Sequence, residues 1–150
     1  MEELIRLEKS GKYLFHGSSD GDILELEPRQ PWSHRKKDGH PCVAASDIIE
    51  PPIFMAVLGS KKLGGWEKDP NDDKQVRYYV TKNDMEKAKK EEWHGYVYIL
   101  KKDSAKFRQH KGFEWRSSDH VKPIKRIRVG LGDLPSNIRF IDDYSRLLEG

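Results

Sequence analysis

A histidine, a glycine and a serine follow a short apolar run in the sequence YLFHGS, residues 13–18. His16 offers an ionisable ring, Gly17 a backbone that a ligand can approach closely, and Ser18 a hydroxyl group. The apolar residues before them predict a buried strand, so the three groups would lie at its end. We interpret this end as a hydrogen-bonding rim for a small polar ligand. The competing interpretation is a histidine that is simply hydrogen-bonded within the core.

The second stretch with chemical potential is GFEWRSS, residues 112–118. Glu114 lies between Phe113 and Trp115 in a predicted strand, and alternation would point its side chain away from both rings. If the rings face the core, the carboxylate faces solvent or a cleft. There it would act as a general base or hold a sugar hydroxyl. The alternative is a surface glutamate close to Arg116 or Lys111.

Other chemistries have weaker signals in this chain. The six histidines lack the pairing that is typical of zinc sites, so we expect no metal. Cys42 lies in the apolar stretch PCVAAS, which indicates an inert, buried thiol. The sequence contains neither a phosphate-binding Walker loop nor a G-x-S-x-G nucleophile motif.

The elements that must position these residues follow from local patterns. Helices are predicted near the N-terminus, after Pro51, after Thr81 and over residues 134–148. Strands outnumber them, and the predicted strands cover residues 12–17, 42–46, 76–81, 95–100, 112–118 and 121–129. Breaker-rich segments predict loops over 19–41 and 64–74. Because helices and strands do not alternate regularly, the fold class is α+β, one domain over 1–150 with mostly antiparallel sheets.

Charge is spread unevenly along a chain whose net charge is +3. Residues 101–128 carry ten Lys or Arg against three acidic residues. This segment is either a solvated strand face or a groove for an anionic partner.

The single cysteine excludes an intramolecular disulfide and favours a reducing compartment. No apolar run resembles a signal peptide or reaches the roughly 20 residues of a membrane span. We therefore expect a cytoplasmic protein without a membrane partner.

The order of the motifs resembles the ADP-ribosyltransferase superfamily. LFHGS matches the first-strand His-Gly motif of poly(ADP-ribose) polymerases and diphtheria-like toxins. CVAASD followed by IFMA is similar to their second motif, and FEWRSS is similar to the later strand that carries a glutamate. The stretch from VYIL to WRSS also resembles the small rifampin ADP-ribosyltransferases. The resemblance spans roughly residues 12–130 and implies split, mostly antiparallel sheets that form an NAD-type cleft flanked by short helices.

The resemblance also implies roles for individual residues. His16 would hydrogen-bond the ribose on the adenosine side of NAD+, and Gly17 would present its backbone to the nicotinamide carboxamide, next to Ser18. Glu114 would hold the nicotinamide ribose and stabilise the positive charge that develops there. Two further residues would complete the binding site. Arg29 would bind the pyrophosphate, unless it pairs with Glu25 or Glu27. Ser46 would line the pocket, unless it only caps the next helix.

The resemblance implies that NAD+ is the substrate. The acceptor of ADP-ribose could be a protein, a nucleic acid or a small molecule. The family's nicotinamide-stacking tyrosine is replaced by Cys42 or Val43, from which we expect slow turnover. Two alternatives remain on the same fold. One is a non-catalytic module that binds ADP-ribose, another nucleotide or nucleic acid, and the other is an activity like that of RNA 2′-phosphotransferases.

Overall fold

The computed structural model describes residues 1–33, 36–59, 65–69 and 72–143. Within these ranges the chain forms three α-helices, namely α1 (Glu2–Ser10), α2 (Glu50–Val57) and α3 (Lys82–Lys90), and a short 3-10 helix over Leu131–Asp133. The strands are β1 (Tyr13–Ser18), β2 (Trp32–Ser33), β3 (Lys36–Lys37), β4 (Val43–Ser46), β5 (Gly65–Asp69), β6 (Asp72–Thr81), β7 (His94–Lys101), β8 (Arg108–Lys111), β9 (Glu114–Ser117), β10 (Lys125–Gly130) and β11 (Ile138–Ile141). None of the helices in these described ranges is long and apolar enough to cross a bilayer.

The main sheet has six strands in the order β10-β7-β1-β4-β9-β8, and every neighbouring pair is antiparallel. The pairing is uneven along this order. β1 pairs with β7 at every residue from Tyr13 to Ser18, but β1 and β4 are in register only where Phe15 faces Ser46. The β1–β4 junction, which we call the split, is therefore the most weakly paired interface of the six-stranded sheet and has three strands on either side.

A second sheet has the order β11-β6-β5. β5 and β6 are antiparallel, whereas β11 runs parallel to β6, with Ile138 opposite Tyr78. The α+β class with mostly antiparallel strands is thus as predicted.

Helix α2 packs across β1 and β7 at two glycines. A methyl group added to Gly17 would lie 1.9 Å from the carbonyl oxygen of Pro52, and one added to Gly95 would lie 2.1 Å from that of Ala56. Real carbon atoms do not approach so closely, so these glycines let the helix backbone rest directly on the sheet. The helix brings Ile53 and Phe54 into the larger core cluster.

Local chemistry explains where the helices begin and end. α1 ends at Gly11, whose φ of 70° suits glycine. α2 begins with Pro51 and Pro52 in its first turn, as predicted, and the Glu8 carboxylate of α1 accepts a hydrogen bond from the Ile49 amide at 2.7 Å. The Thr81 hydroxyl caps α3 by accepting from the Asp84 amide.

Three predicted elements differ from the structure. The loop predicted over 19–41 contains the short paired strands β2 and β3. The loop predicted over 64–74 is largely occupied by β5 and the start of β6, with residues 64, 70 and 71 outside the described part. The helix predicted over 134–148 is replaced, up to residue 143, by a turn and strand β11. Pro135 and the apolar residues after it do not form a helix because Ile138–Ile141 complete the second sheet beside β6.

Candidate active site

A pocket of about 170 Å³ lies where β1 and β4 separate, and α2 forms one of its walls. Its position follows from the split, because the two strands diverge beyond the pair Phe15 and Ser46. The lining comes from four elements and the turn before β9: Phe15, His16, Gly17, Ala44, Ala45, Ser46, Pro51, Pro52, Met55, Phe113 and Glu114.

Four of the six residues singled out from the sequence line this pocket, namely His16, Gly17, Ser46 and Glu114. Ser18 and Arg29 are not part of the lining. The pocket thus unites three motifs that are far apart in the sequence.

The His16 ring bridges the split. Its Nδ1 lies 2.8 Å from the Ala44 carbonyl oxygen, which can only accept, so Nδ1 carries the proton. Burial lowers the pKa of His16; the bond to the Ala44 carbonyl opposes this shift, and the charge of Arg29 adds to it. The ring is therefore neutral at pH 7 and presents Nε2 as an acceptor. The competing interpretation, a histidine that is hydrogen-bonded within the core, therefore holds for Nδ1 only.

Gly17 lines the pocket for a reason that the sequence does not reveal. The space that a side chain would take is filled by the backbone of α2, at Pro52 and Ala56. The glycine is thus required by packing, whether or not a ligand contacts its backbone. Ligand access and helix packing both favour glycine here.

Both serines use their hydroxyls in local turns. Ser46 is buried; its Oγ donates to the Ile48 carbonyl at 2.6 Å and accepts from the Ile48 amide at 3.1 Å. It therefore shapes the turn that leads into α2 and also lines the pocket. Ser18, the last residue of β1, accepts from the Asp20 amide at 3.1 Å, which ties the end of the strand to the turn that follows.

The Glu114 carboxylate lies in the pocket wall and is held by an arginine. Its Oε2 accepts a hydrogen bond from Nε of Arg116 at 2.9 Å. Neighbouring Trp115 packs against a second core cluster, which includes Leu14 and Tyr98, as alternation predicts. Phe113, however, lines the same pocket as Glu114, because it precedes the strand and follows the turn at Gly112, where φ is 55°.

Arg116 forms a network that reaches beyond the pocket. Its NH1 donates to the Asp38 carbonyl oxygen at 2.6 Å, and its NH2 donates to the Asp38 carboxylate at 2.8 Å. All three guanidinium nitrogens are thus engaged by Glu114 and Asp38 together. Burial raises the pKa of nearby Cys42, although the Arg116 charge opposes the shift. Its thiol is therefore protonated at pH 7, in line with an inert cysteine.

Arg29 lies outside the pocket lining. Its backbone pairs with that of Cys42 through two hydrogen bonds of 3.0 and 2.9 Å, which extends β4 at its N-terminal end. The side chain is exposed, and none of the ion pairs among the described residues joins it to Glu25 or Glu27. Glu25 pairs with His120 instead.

The sequence did not identify the apolar walls. Phe15, Phe113 and Met55 enclose the pocket together with the two prolines of α2. Each looks like an ordinary core residue in sequence, and only the position of α2 over the split turns it toward a cavity. Arg116 was visible as a neighbour of Glu114, but its bond to Asp38 was not.

The basic segment 101–128 does not form one strip on the sheet. Arg108 and Lys111 belong to β8, while Lys125, Arg126 and Arg128 belong to β10, and these strands are the two opposite edges. An anionic partner for this segment stays a prediction, and it would have to be considered separately at each edge.

The pocket has to be interpreted from its own residues. Comparisons of this chain with protein-family models, curated proteins and solved structures find no match. Within the described ranges, no cluster of three or more His, Cys, Asp or Glu has the arrangement of a metal site. What the pocket offers is a neutral histidine, a carboxylate held by an arginine, and apolar walls.

Proposed function

We propose that the pocket binds the nicotinamide end of NAD+ and that the protein is an NAD+-dependent ADP-ribosyltransferase. One observation carries this proposal: His16, Gly17, Ser46 and Glu114 come from three distant motifs and line a single pocket. An arrangement required only for folding would not need to gather the polar groups of all three motifs at one cavity.

The size of the pocket supports one part of the ligand. A cavity of roughly 150 Å³ accommodates benzene, so about 170 Å³ accommodates a single aromatic ring but not a dinucleotide. The sugars and phosphates of NAD+ would therefore lie at the mouth of the pocket. Arg29 is a reasonable phosphate ligand there, because its guanidinium is exposed and close enough to influence the pKa of His16.

The walls suit a flat, uncharged leaving group. Phe15, Phe113 and Met55 offer apolar contact to nicotinamide, and Phe113 supplies an aromatic ring that the sequence lacks at Cys42 and Val43. The neutral His16 ring would accept a hydrogen bond from a ribose hydroxyl through Nε2. These groups bind and orient the substrate and exclude water from it.

Glu114 would supply the electrostatic part of catalysis. As the bond to nicotinamide breaks, its electron pair leaves with nicotinamide and positive charge develops on the ribose. Glu114 lines the pocket, so its carboxylate is placed to attract that positive charge, with Arg116 holding it in position. The acceptor nucleophile then bonds to the same ribose carbon and loses its proton.

The decisive variant is Glu114→Gln, which keeps the shape of the side chain and removes its charge. We expect nicotinamide release and ADP-ribosyl transfer to fall about 10²-fold or more, while NAD+ affinity stays within a few-fold. Calorimetry would measure NAD+ affinity, and nicotinamide release would be followed over hours with protein, nucleic-acid and small-molecule acceptors. Glu25→Gln, outside the pocket, is the matched control and should behave as wild type.

Two results would contradict the proposal. If folded wild-type protein binds none of NAD+, ADP-ribose and nicotinamide, the NAD+ assignment is wrong. If wild type and Glu114→Gln both bind NAD+ and release nicotinamide equally slowly, the protein is a nucleotide-binding module. The engagement of Glu114 by Arg116 is the observation that favours this second function.

A further inference from the structure

Strands β2 and β3 form a short hairpin that presents a tryptophan and two lysines to solvent. Trp32 is 62% exposed, and Lys36 and Lys37 are exposed as well. Trp32 lies directly opposite Lys37 in the antiparallel register, so the indole and this ammonium share one face. An exposed indole beside an ammonium group offers an aromatic face and a positive charge to another molecule, which makes this hairpin a candidate contact surface.

The base of the hairpin is tied down by several hydrogen bonds. The Asp38 amide donates to the Pro31 carbonyl at 3.0 Å, and the Gln30 side chain donates to the carbonyls of Pro31 at 3.0 Å and Gly39 at 2.8 Å. Arg116 then anchors Asp38 to β9, next to Glu114. The exposed side chains are therefore held at a defined place beside the pocket.

The charged residues of strands β2 and β3 are both basic: Lys37 shares the face of Trp32, and Lys36 projects from the opposite face. None of the ion pairs among the described residues involves Lys36 or Lys37, and the carboxylate of Asp38 is bonded to Arg116. We call Trp32, Lys36 and Lys37 the basic arm.

We propose that the basic arm binds single-stranded nucleic acid. An exposed indole stacks on an unpaired base, and neighbouring ammonium groups neutralise phosphates. Charge alone would also suit an acidic peptide or an anionic membrane, but the ring favours a ligand with flat π-faces. Bases within a duplex are already stacked and are not accessible to the indole. This surface goes beyond the proposed function, since it requires no NAD+ cleavage.

Fluorescence anisotropy with labelled single-stranded oligonucleotides, in the absence of NAD+, tests the inference on the full chain. Trp32→Ala should weaken binding about tenfold or more, and Trp32→Phe should restore much of it, because base stacking on an aromatic ring contributes that much. K36A/K37A should reduce the slope of log K against log salt by about 1.4, from roughly 0.7 per phosphate contact. K89A/K90A, which removes two exposed lysines from α3, is the matched control and should leave the slope unchanged.

Three outcomes would overturn the inference. Single strands could fail to bind at low salt, or they could bind equally well to wild type, Trp32→Ala and K36A/K37A. Duplexes, acidic peptides or vesicles of anionic lipid could instead bind more tightly than single strands. Because the assay contains no NAD+, these outcomes leave the Glu114→Gln test of the pocket unaffected, and a failure of that test leaves the basic arm unaffected.

Discussion

The two halves of the main sheet are stabilised in different ways. In the half formed by β10, β7 and β1, each interface has six consecutive register pairs, and Gly17 and Gly95 pack against the backbone of α2. In the half formed by β4, β9 and β8, the pairing is shorter and its register shifts between Gln109 and Lys111. The second half is anchored to the loop after β3 by the Arg116 network.

This difference explains where the pocket lies. A continuous, glycine-packed ladder has no room for a ligand, whereas the junction at Phe15 and Ser46 leaves β1 and β4 free to diverge. The polar side chains of His16, Ser46 and Glu114 line the pocket at that junction. His16 belongs to the first half and bonds to Ala44 of the second, so its side chain links the two halves directly at the pocket.

The largest expected effect comes from disturbing the glycine packing of the first half. Gly17→Ala and Gly95→Ala should each lower the free energy of unfolding by about 3 kcal/mol or more, because the added methyl group would meet backbone atoms of α2. Urea denaturation measures the change. Gly132→Ala is the matched control, since nothing lies within 4 Å of its added methyl group, and we expect a change within about 0.5 kcal/mol. Equal stabilities for all three variants would mean that α2 does not rest on the sheet.

A smaller effect is expected in the second half from Arg116→Lys. An ammonium group cannot reproduce the three-way bonding to Glu114 and Asp38, so unfolding should cost about 1–2 kcal/mol less. We expect a loss of stability at the low end of the range for hydrogen bonds between charged groups, because the Asp38 side chain is 41% exposed and solvent weakens the interaction. Arg108→Lys, on the exposed neighbouring strand, should change stability by less than about 0.5 kcal/mol. A similar loss for both variants would argue against a specific role of the network.

The smallest expected effect is a pH dependence of the free energy of unfolding, which arises from His16, the residue whose ring links the two halves of the sheet. The pKa of His16 is lowered in the folded protein, so below about pH 6.5 the unfolded chain binds a proton that the folded ring resists. The contribution of His16 to stability is therefore complete above that pH and is lost as the pH falls, by at most about 1.4 kcal/mol per pH unit.

Unfolding free energies of wild type and His16→Asn at several values between about pH 5 and 7 would measure this slope. Their difference isolates His16, because all other groups titrate in both proteins. Parallel curves for wild type and His16→Asn would show that the ring titrates normally when folded.

Elements with a strong local pattern could be predicted from the sequence. The run GYVYIL predicted β7, YLFHG predicted β1, and the paired prolines marked the first turn of α2. Strand β8 was missed, because its residues RQHK are all exposed and show no alternation. The second part of β6 was predicted correctly over residues 76–81, whereas β5, the first residues of β6 and strand β11 were predicted wrongly, since polar or proline-containing segments join a sheet only when a partner strand is available.

The sequence by itself determined the types of the main elements and the polar groups at their ends, because backbone preferences and hydrophobic periodicity act over a few residues. It also identified His16, Gly17, Ser46 and Glu114 as the residues to follow. Only the tertiary structure decided that β1 and β4 share a single register pair, that Gly17 faces the backbone of α2, and that Arg116 holds Asp38, 78 positions away. Such contacts depend on strand register and on the packing of distant segments, and no local pattern encodes them.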